Sequence, residues 1–186
     1  MEDDAKIFGF WIYLMTDLVI FAVLFAAYIV LRNSTFGGPS GRDLFQLSTA
    51  FAETMILLTS SFTCSLATYF VFRRQKNWVV FWFAATFLLG MSFLYLEISE
   101  FSDFIGKGAG WQRSGFLSSF FTLVGTHGLH ISIGLLWMLV TLIATWFRGL
   151  KESDISRIFR MAYFWHFLDV VWIFIFSVVY AMGLLS

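Results

Sequence analysis

Residues 125–134 read GTHGLHISIG, with His127 and His130 three apart in a stretch without charge. Two other pairs share that spacing, Glu97/Glu100 and His166/Asp169. Residues three apart lie on one helix face, so each pair should point one way, toward the protein interior. With Asp17 and Glu53 these make eight ionisable groups set in long apolar runs. Such groups are rare in apolar spans, and they mark a functional site or an interior pairing. Four kinds of chemistry come into question: metal ligation, haem ligation, proton transfer and hydrogen bonding between helices.

A zinc or di-iron centre needs three or more convergent ligands, and carboxylate di-iron bundles use Glu-x-x-His. That motif does not occur here, and three histidines are few for a histidine-rich membrane centre. A low-spin haem needs two axial ligands on facing helices, which His127 or His130 opposite His166 could supply. Proton handling suits Asp17 or the His166/Asp169 pair. Packing suits all eight. An imidazole donates to a carboxylate or backbone carbonyl, and the small residues Gly125, Gly128 and Ser132 let another helix approach closely. The residues alone leave the haem, proton and packing readings open.

The elements that must position these groups are helices in a bilayer. The chain is 59% hydrophobic, 21% aromatic and 13% charged, more apolar surface than a soluble domain of 186 residues could hide. A spanning helix needs about 20 apolar residues. Five stretches qualify, at about 7–31, 49–72, 78–101, 116–147 and 160–184, which predicts an all-α, polytopic bundle of five transmembrane helices. We expect residues 1–186 to form one such domain. The single proline, Pro39, falls in the turn-rich segment RNSTFGGPSGRDLFQLS, so it interrupts no helix. The lone cysteine, Cys64, excludes an intrachain disulfide, and a net charge of zero gives no case for nucleic acid. The acidic start MEDDAK leads into an apolar run longer than a signal peptide's core, so the first helix is expected to be retained.

Charge sets the orientation. Lys6, Arg73, Arg74, Lys76, Arg148, Lys151, Arg157 and Arg160 fall on one side, against Arg32, Arg42, Lys107 and Arg113 on the other. The positive-inside rule then puts the N-terminus in the cytoplasm and the C-terminus outside. No internal repeat is visible, which weakens the reading as a small proton-coupled transporter built from inverted repeats.

Five segments together resemble subunit III of the haem–copper respiratory oxidases: IFGFWIYLMTDLVIFAVLFAAYIVL (7–31), AETMILLTSSFTCSLA (52–67), LEISEF (96–101), GFLSSFFTLVGTHGLHISIGLLW (115–137) and FWHFLDVVWIFIFSVVYAMG (164–183). The most specific part is His-Gly-Leu-His followed by Trp-His-Phe-x-Asp-Val-Val-Trp. GGPSG, KIFGFWIYLM, Asp17 and the short five-helix form resemble the quinol-oxidase branch of cytochrome bo type. The resemblance implies a subunit without catalytic residues in a proton-pumping ubiquinol oxidase of the bacterial inner membrane. It implies no haem, copper or other metal on this chain. Those centres, and the ubiquinol site, belong to subunit I. Subunit I would be the main contact, with subunits II and IV in the same complex and phospholipid held between helices. Asp17, Glu53, Glu97, Glu100, His127, His130, His166 and Asp169 then become a buried polar cluster, structural in role, with a link to protons as the functional version. The contrasting expectation, a haem-binding cytochrome b-type anchor, would show a haem spectrum.

Overall fold

The computed structural model describes residues 2–150 and 152–185, with the side chains of 2–4, 43, 152, 153, 184 and 185 left aside. Lys151, one of the basic residues counted for orientation, lies outside the described residues. Five helices are long and apolar enough to cross a membrane. They are α1 (Glu2–Leu31), α2 (Leu47–Phe72), α3 (Lys76–Gly106), α4 (Gly115–Arg148) and α5 (Glu152–Ile175). Helix α5 continues as a π-helical segment, Phe176–Ala181, and a last turn, Met182–Leu185. A single helical turn, Gly41–Leu44, precedes α2. Among the described residues there is no strand.

Three boundaries differ from expectation by five residues or more. Helix α1 begins at Glu2 rather than near residue 7. Helix α3 runs five residues past 101, through SDFIG, and α5 begins at Glu152 rather than near 160. Charged residues, Asp103 in the one and Glu152, Asp154 and Arg157 in the other, cut the apolar runs short of these turns. They form because backbone hydrogen bonding continues where the helix leaves the apolar layer. Asp154 sits in the first turn of α5, where a negative charge suits the helix dipole, and it pairs with Arg157 at 4.0 Å.

Buried positions on four helices fall at alternating spacings of three and four. They are Ala50, Glu53, Leu57, Ser60, Cys64, Ala67 and Val71 on α2, and Val79, Phe83, Thr86, Gly90, Phe93, Glu97, Glu100 and Phe104 on α3. On α4 they are Leu117, Phe120, Val124, His127, Ile131, Gly134 and Met138. On α5 and its extension they are Ile158, Met161, Trp165, Leu168, Trp172, Ile175 and Val179. A heptad of this kind is the repeat of left-handed helix packing. The four ionisable residues Glu53, Glu97, Glu100 and His127 stand on these seams, so the repeat itself carries them into the core.

Small residues on the seams make room for large ones. Trp165 lies against Gly90 of α3 and Gly134 of α4, and its indole N–H donates to Ser60 Oγ on α2 at 3.1 Å. Trp172 donates to Thr54 Oγ1 at 3.1 Å. Thr63 and Thr86 join α2 to α3 at 2.8 Å. Many other hydroxyls bond back to their own helix, such as Thr54 to Ala50 O at 2.8 Å, which hides a polar group in an apolar medium.

Helix α1 stands apart. Its buried residues form one thin stripe, Leu14, Asp17, Phe21 and Tyr28, and it packs mainly on α4 and α5. One end of the bundle holds the two longer loops. There Phe45 packs on Phe104, Phe116, Phe120 and Tyr180, and the Phe116 N–H donates to Ser34 O at 3.2 Å. The opposite, basic end holds the 73–75 turn, with Arg74 at a φ of 55°, and the end of α4 at Gly149, with a φ of 75°. Phe72 packs on Phe159 there, and Lys76 lies over Trp146.

Candidate functional site

Seven of the eight ionisable residues fall into three groups rather than the one cluster expected, and His127 stands outside all three. The first joins α1 to α4. His130 Nδ1 donates to Thr126 O at 2.7 Å, which leaves Nε2 to face Asp17 Oδ2 at 3.6 Å. Asp17 is buried, His130 half-buried, and Phe21 lies across the pair with its ring 5.2 Å from the imidazole. Asp17 is thus the polar member of the thin stripe that seats α1.

The second group joins α5 to α2. Ser61 Oγ and His166 Nδ1 are 2.7 Å apart, Asp169 Oδ2 is 3.7 Å from the same nitrogen, and Ser65 Oγ is 3.4 Å from Nε2. Asp169 is buried, but a third of the His166 side chain is exposed. So this pair does not point wholly inward: its histidine sits in the wall of a groove between α1 and α5. The groove, about 510 Å³, is lined by apolar and aromatic side chains including Trp11, Leu18, Phe25, Phe167 and Phe174.

The third group lies toward the loop-rich end, between α2, α3 and the π-helical segment. Glu53, Glu97 and Glu100 are buried and within electrostatic range of one another. The Tyr180 hydroxyl donates to Glu100 Oε2 at 2.6 Å. Both Glu53 oxygens and Glu97 Oε2 lack a hydrogen-bond partner. Glu97 lies over Gly128 of α4 so closely that a Cβ there would stand 2.5 Å from Oε1. Tyr180 was not singled out in the sequence. Its signal was position, one after the seam residue Val179. The π turn that aims it, a feature frequent at functional sites, has no signature in composition.

His127 belongs to none of these contacts. It is fully buried, and neither ring nitrogen has a hydrogen-bond partner. The expectation of an interior hydrogen bond is corrected here. The imidazole instead packs among rings, 5.4 Å from Trp172, 6.0 Å from Phe93 and 6.3 Å from Phe21. Each histidine therefore has its own surroundings: an aromatic box for His127, Asp17 for His130, and Ser61 with Asp169 for His166. Among the described residues no group of three His, Cys, Asp or Glu side chains is arranged to hold a metal ion.

Comparison with known proteins agrees with this architecture. The family model described as cytochrome c oxidase subunit III matches residues 4–184. The cytochrome bo(3) ubiquinol oxidase subunit 3 of Pseudomonas aeruginosa is 54% identical over 179 residues, covering 96% of this chain and 86% of that protein. The protein of the same name from Pseudomonas putida is 50% identical, covering 98% and 88%. The cytochrome c oxidase subunit 3 of Bacillus sp. PS3 is 45% identical, covering 100% of this chain and 90% of that protein. The short form is therefore found on both sides of the quinol and cytochrome c divide, and length alone does not assign a branch. A match along nearly the whole chain, five spanning helices and the paired histidine motifs on α4 and α5 lead to one conclusion: this chain belongs to the cytochrome c oxidase subunit III family.

Proposed function

We propose that the chain is the third subunit of a proton-pumping terminal ubiquinol oxidase, working as one five-helix unit in the bacterial inner membrane. The observation that carries this is the likeness, over almost the full length of both chains, to subunits named for ubiquinol oxidases. In this reading the complex oxidises ubiquinol and reduces dioxygen to water. Haem, copper and the quinol site belong to subunit I. This chain contributes no catalytic residue. It docks on subunit I beside subunits II and IV, and it stabilises that assembly.

The apolar groove between α1 and α5 supports a second part of the role, the holding of phospholipid acyl chains. The three polar groups act first as interhelical fasteners, with Asp17–His130 seating α1 and His166–Ser61 tying α5 to α2. Interhelical hydrogen bonds in membranes average only about 0.6 kcal/mol, so they define packing more than they stabilise it. The excess of Lys and Arg at the basic end supports an orientation in which that end faces the cytoplasm.

Mild-detergent purification through a tag on this chain tests the proposal. A haem–copper subunit should co-purify in equal amount, and the separated chain should show no haem band in a reduced-minus-oxidised spectrum. A stoichiometric haem on the separated chain, or recovery of the chain without oxidase subunits, would overturn it.

A further inference from the structure

We infer that Glu53, Glu97 and Glu100 form a proton-exchanging site, reached by water from the loop-rich end of the bundle through a cavity at Glu100. Three observations meet there. The first is the cavity, about 230 Å³, with a wall that includes Gln46, Thr49, Ser99, Asp103 and Lys107 as well as Glu100. Ser99, Asp103 and Lys107 are exposed, so the cavity runs from the surface to a buried carboxyl. The second is Glu53, which comes from a different helix. It has no exposed surface, its oxygens have no hydrogen-bond partner, and it lies within electrostatic range of both α3 carboxyls. The third is the π-helical segment, which brings the Tyr180 hydroxyl onto Glu100 Oε2 and fixes that carboxyl between the cavity and the interior.

Buried polar atoms that the protein leaves unpartnered are the places where internal water sits. Water bound at the unpartnered oxygens of Glu53 and Glu97 would extend the path past Glu100, the one of the three that lines the cavity. The exchange has a simple balance. A carboxyl gives its proton to an adjacent water and takes one back from it, so no bond other than O–H is made or broken and the charge of the site returns to its starting value. The groups facing the site are Asp103 and Lys107 at the mouth, Tyr180 from the π-helical segment, and the α4 backbone at Gly128. The site is separate from the α1–α5 groove, and its exchange does not depend on which oxidase the chain serves.

Infrared spectroscopy of the assembled complex, moved from H2O into D2O, tests this. We expect a carboxylic acid C=O band that is lost in Glu53→Gln, Glu97→Gln or Glu100→Gln; where a glutamine variant does not assemble, the aspartate variant displaces the band instead. In the parent the band should shift in D2O while the amides of the spanning helices are still protected. Ser99→Trp, at an exposed position in the cavity wall, should slow the shift about tenfold or more. Exchange no faster than that of the surrounding amides would overturn the inference. So would a rate unchanged by Ser99→Trp, or the absence of any acid band that responds to the three glutamates.

Discussion

Asp17 and His130 meet across α1 and α4, and each is the other's interhelical partner. His130→Ala leaves Asp17, a buried carboxyl, without the imidazole that faces it from α4, a penalty of about 1–3 kcal/mol. His130→Ala should therefore lower the yield and thermal midpoint of the assembled complex, while turnover per assembled haem stays near the parent's. Full assembly with lost turnover would contradict this. Asp17→Asn keeps a hydrogen-bonding group opposite Nε2, so its loss of thermal stability should be smaller than that of His130→Ala. Tyr180→Phe removes the hydroxyl that donates to Glu100 Oε2 and should cost about 1–3 kcal/mol, read as a lower thermal midpoint. At this scale the sequence named the ionisable residues but not their partners. A spacing of three puts His127 and His130 on one side of a helix, yet one meets Trp172 and the other Asp17, because the helix opposite each decides. Likewise Glu97/Glu100 and His166/Asp169 look alike in the sequence, but only the first pair is wholly interior.

Helix packing depends on where the bundle lacks side chains. A Cβ on Gly90 would stand 2.7 Å from Trp165 Cη2 and 2.8 Å from Leu135 Cδ2, whereas one on Gly134 would stand 3.3 Å from the Phe164 and Trp165 rings. Gly90→Ala should then destabilise by about 1–3 kcal/mol, and Gly134→Ala by less, in thermal melts followed by near-ultraviolet circular dichroism. Equal midpoints for the two would mean that Trp165 can move. The count and placement of the five long helices were legible, because apolar runs of spanning length leave little choice of structure. The heptad seams were legible too, in principle: the three–four spacing of Ala50 to Val71 or Val79 to Phe104 is present in the letters. A membrane helix is apolar all round, however, so hydropathy does not distinguish its seam from its lipid face. Small and polar residues at heptad positions carry that information instead. The polar first turns of α5 gave no spanning signal, and the π-helical segment, itself apolar, looks in hydropathy like a plain continuation of the helix before it.

The whole molecule is asymmetric in charge, with Arg73, Arg74, Lys76, Arg148, Arg157 and Arg160 gathered at one end. In a Cys64→Ser background, a cysteine at the exposed Asn77 should resist an impermeant thiol reagent in intact cells and react after permeabilisation. A cysteine at the exposed Gln112 should do the reverse. Swapped results would invert the topology. The thin seam of α1 also bears on how the chain is made. Helix α1 is synthesised first, but its seat on α4 and α5 is synthesised last. His130 follows Asp17 by 113 residues (130 − 17), an interval of roughly 5–25 s at a translation rate of about 5–20 residues per second. Throughout that wait α1 resides in the bilayer with a carboxyl and no mate, and α2 and α3 are already there and pack with each other. Nothing but its own apolarity holds it, and its window is the most apolar of the five. A second polar substitution in α1 would act during this interval, before any oxidase exists. Its signature would be a nascent chain that slips back out of the membrane and is degraded, with the surviving complexes fully active.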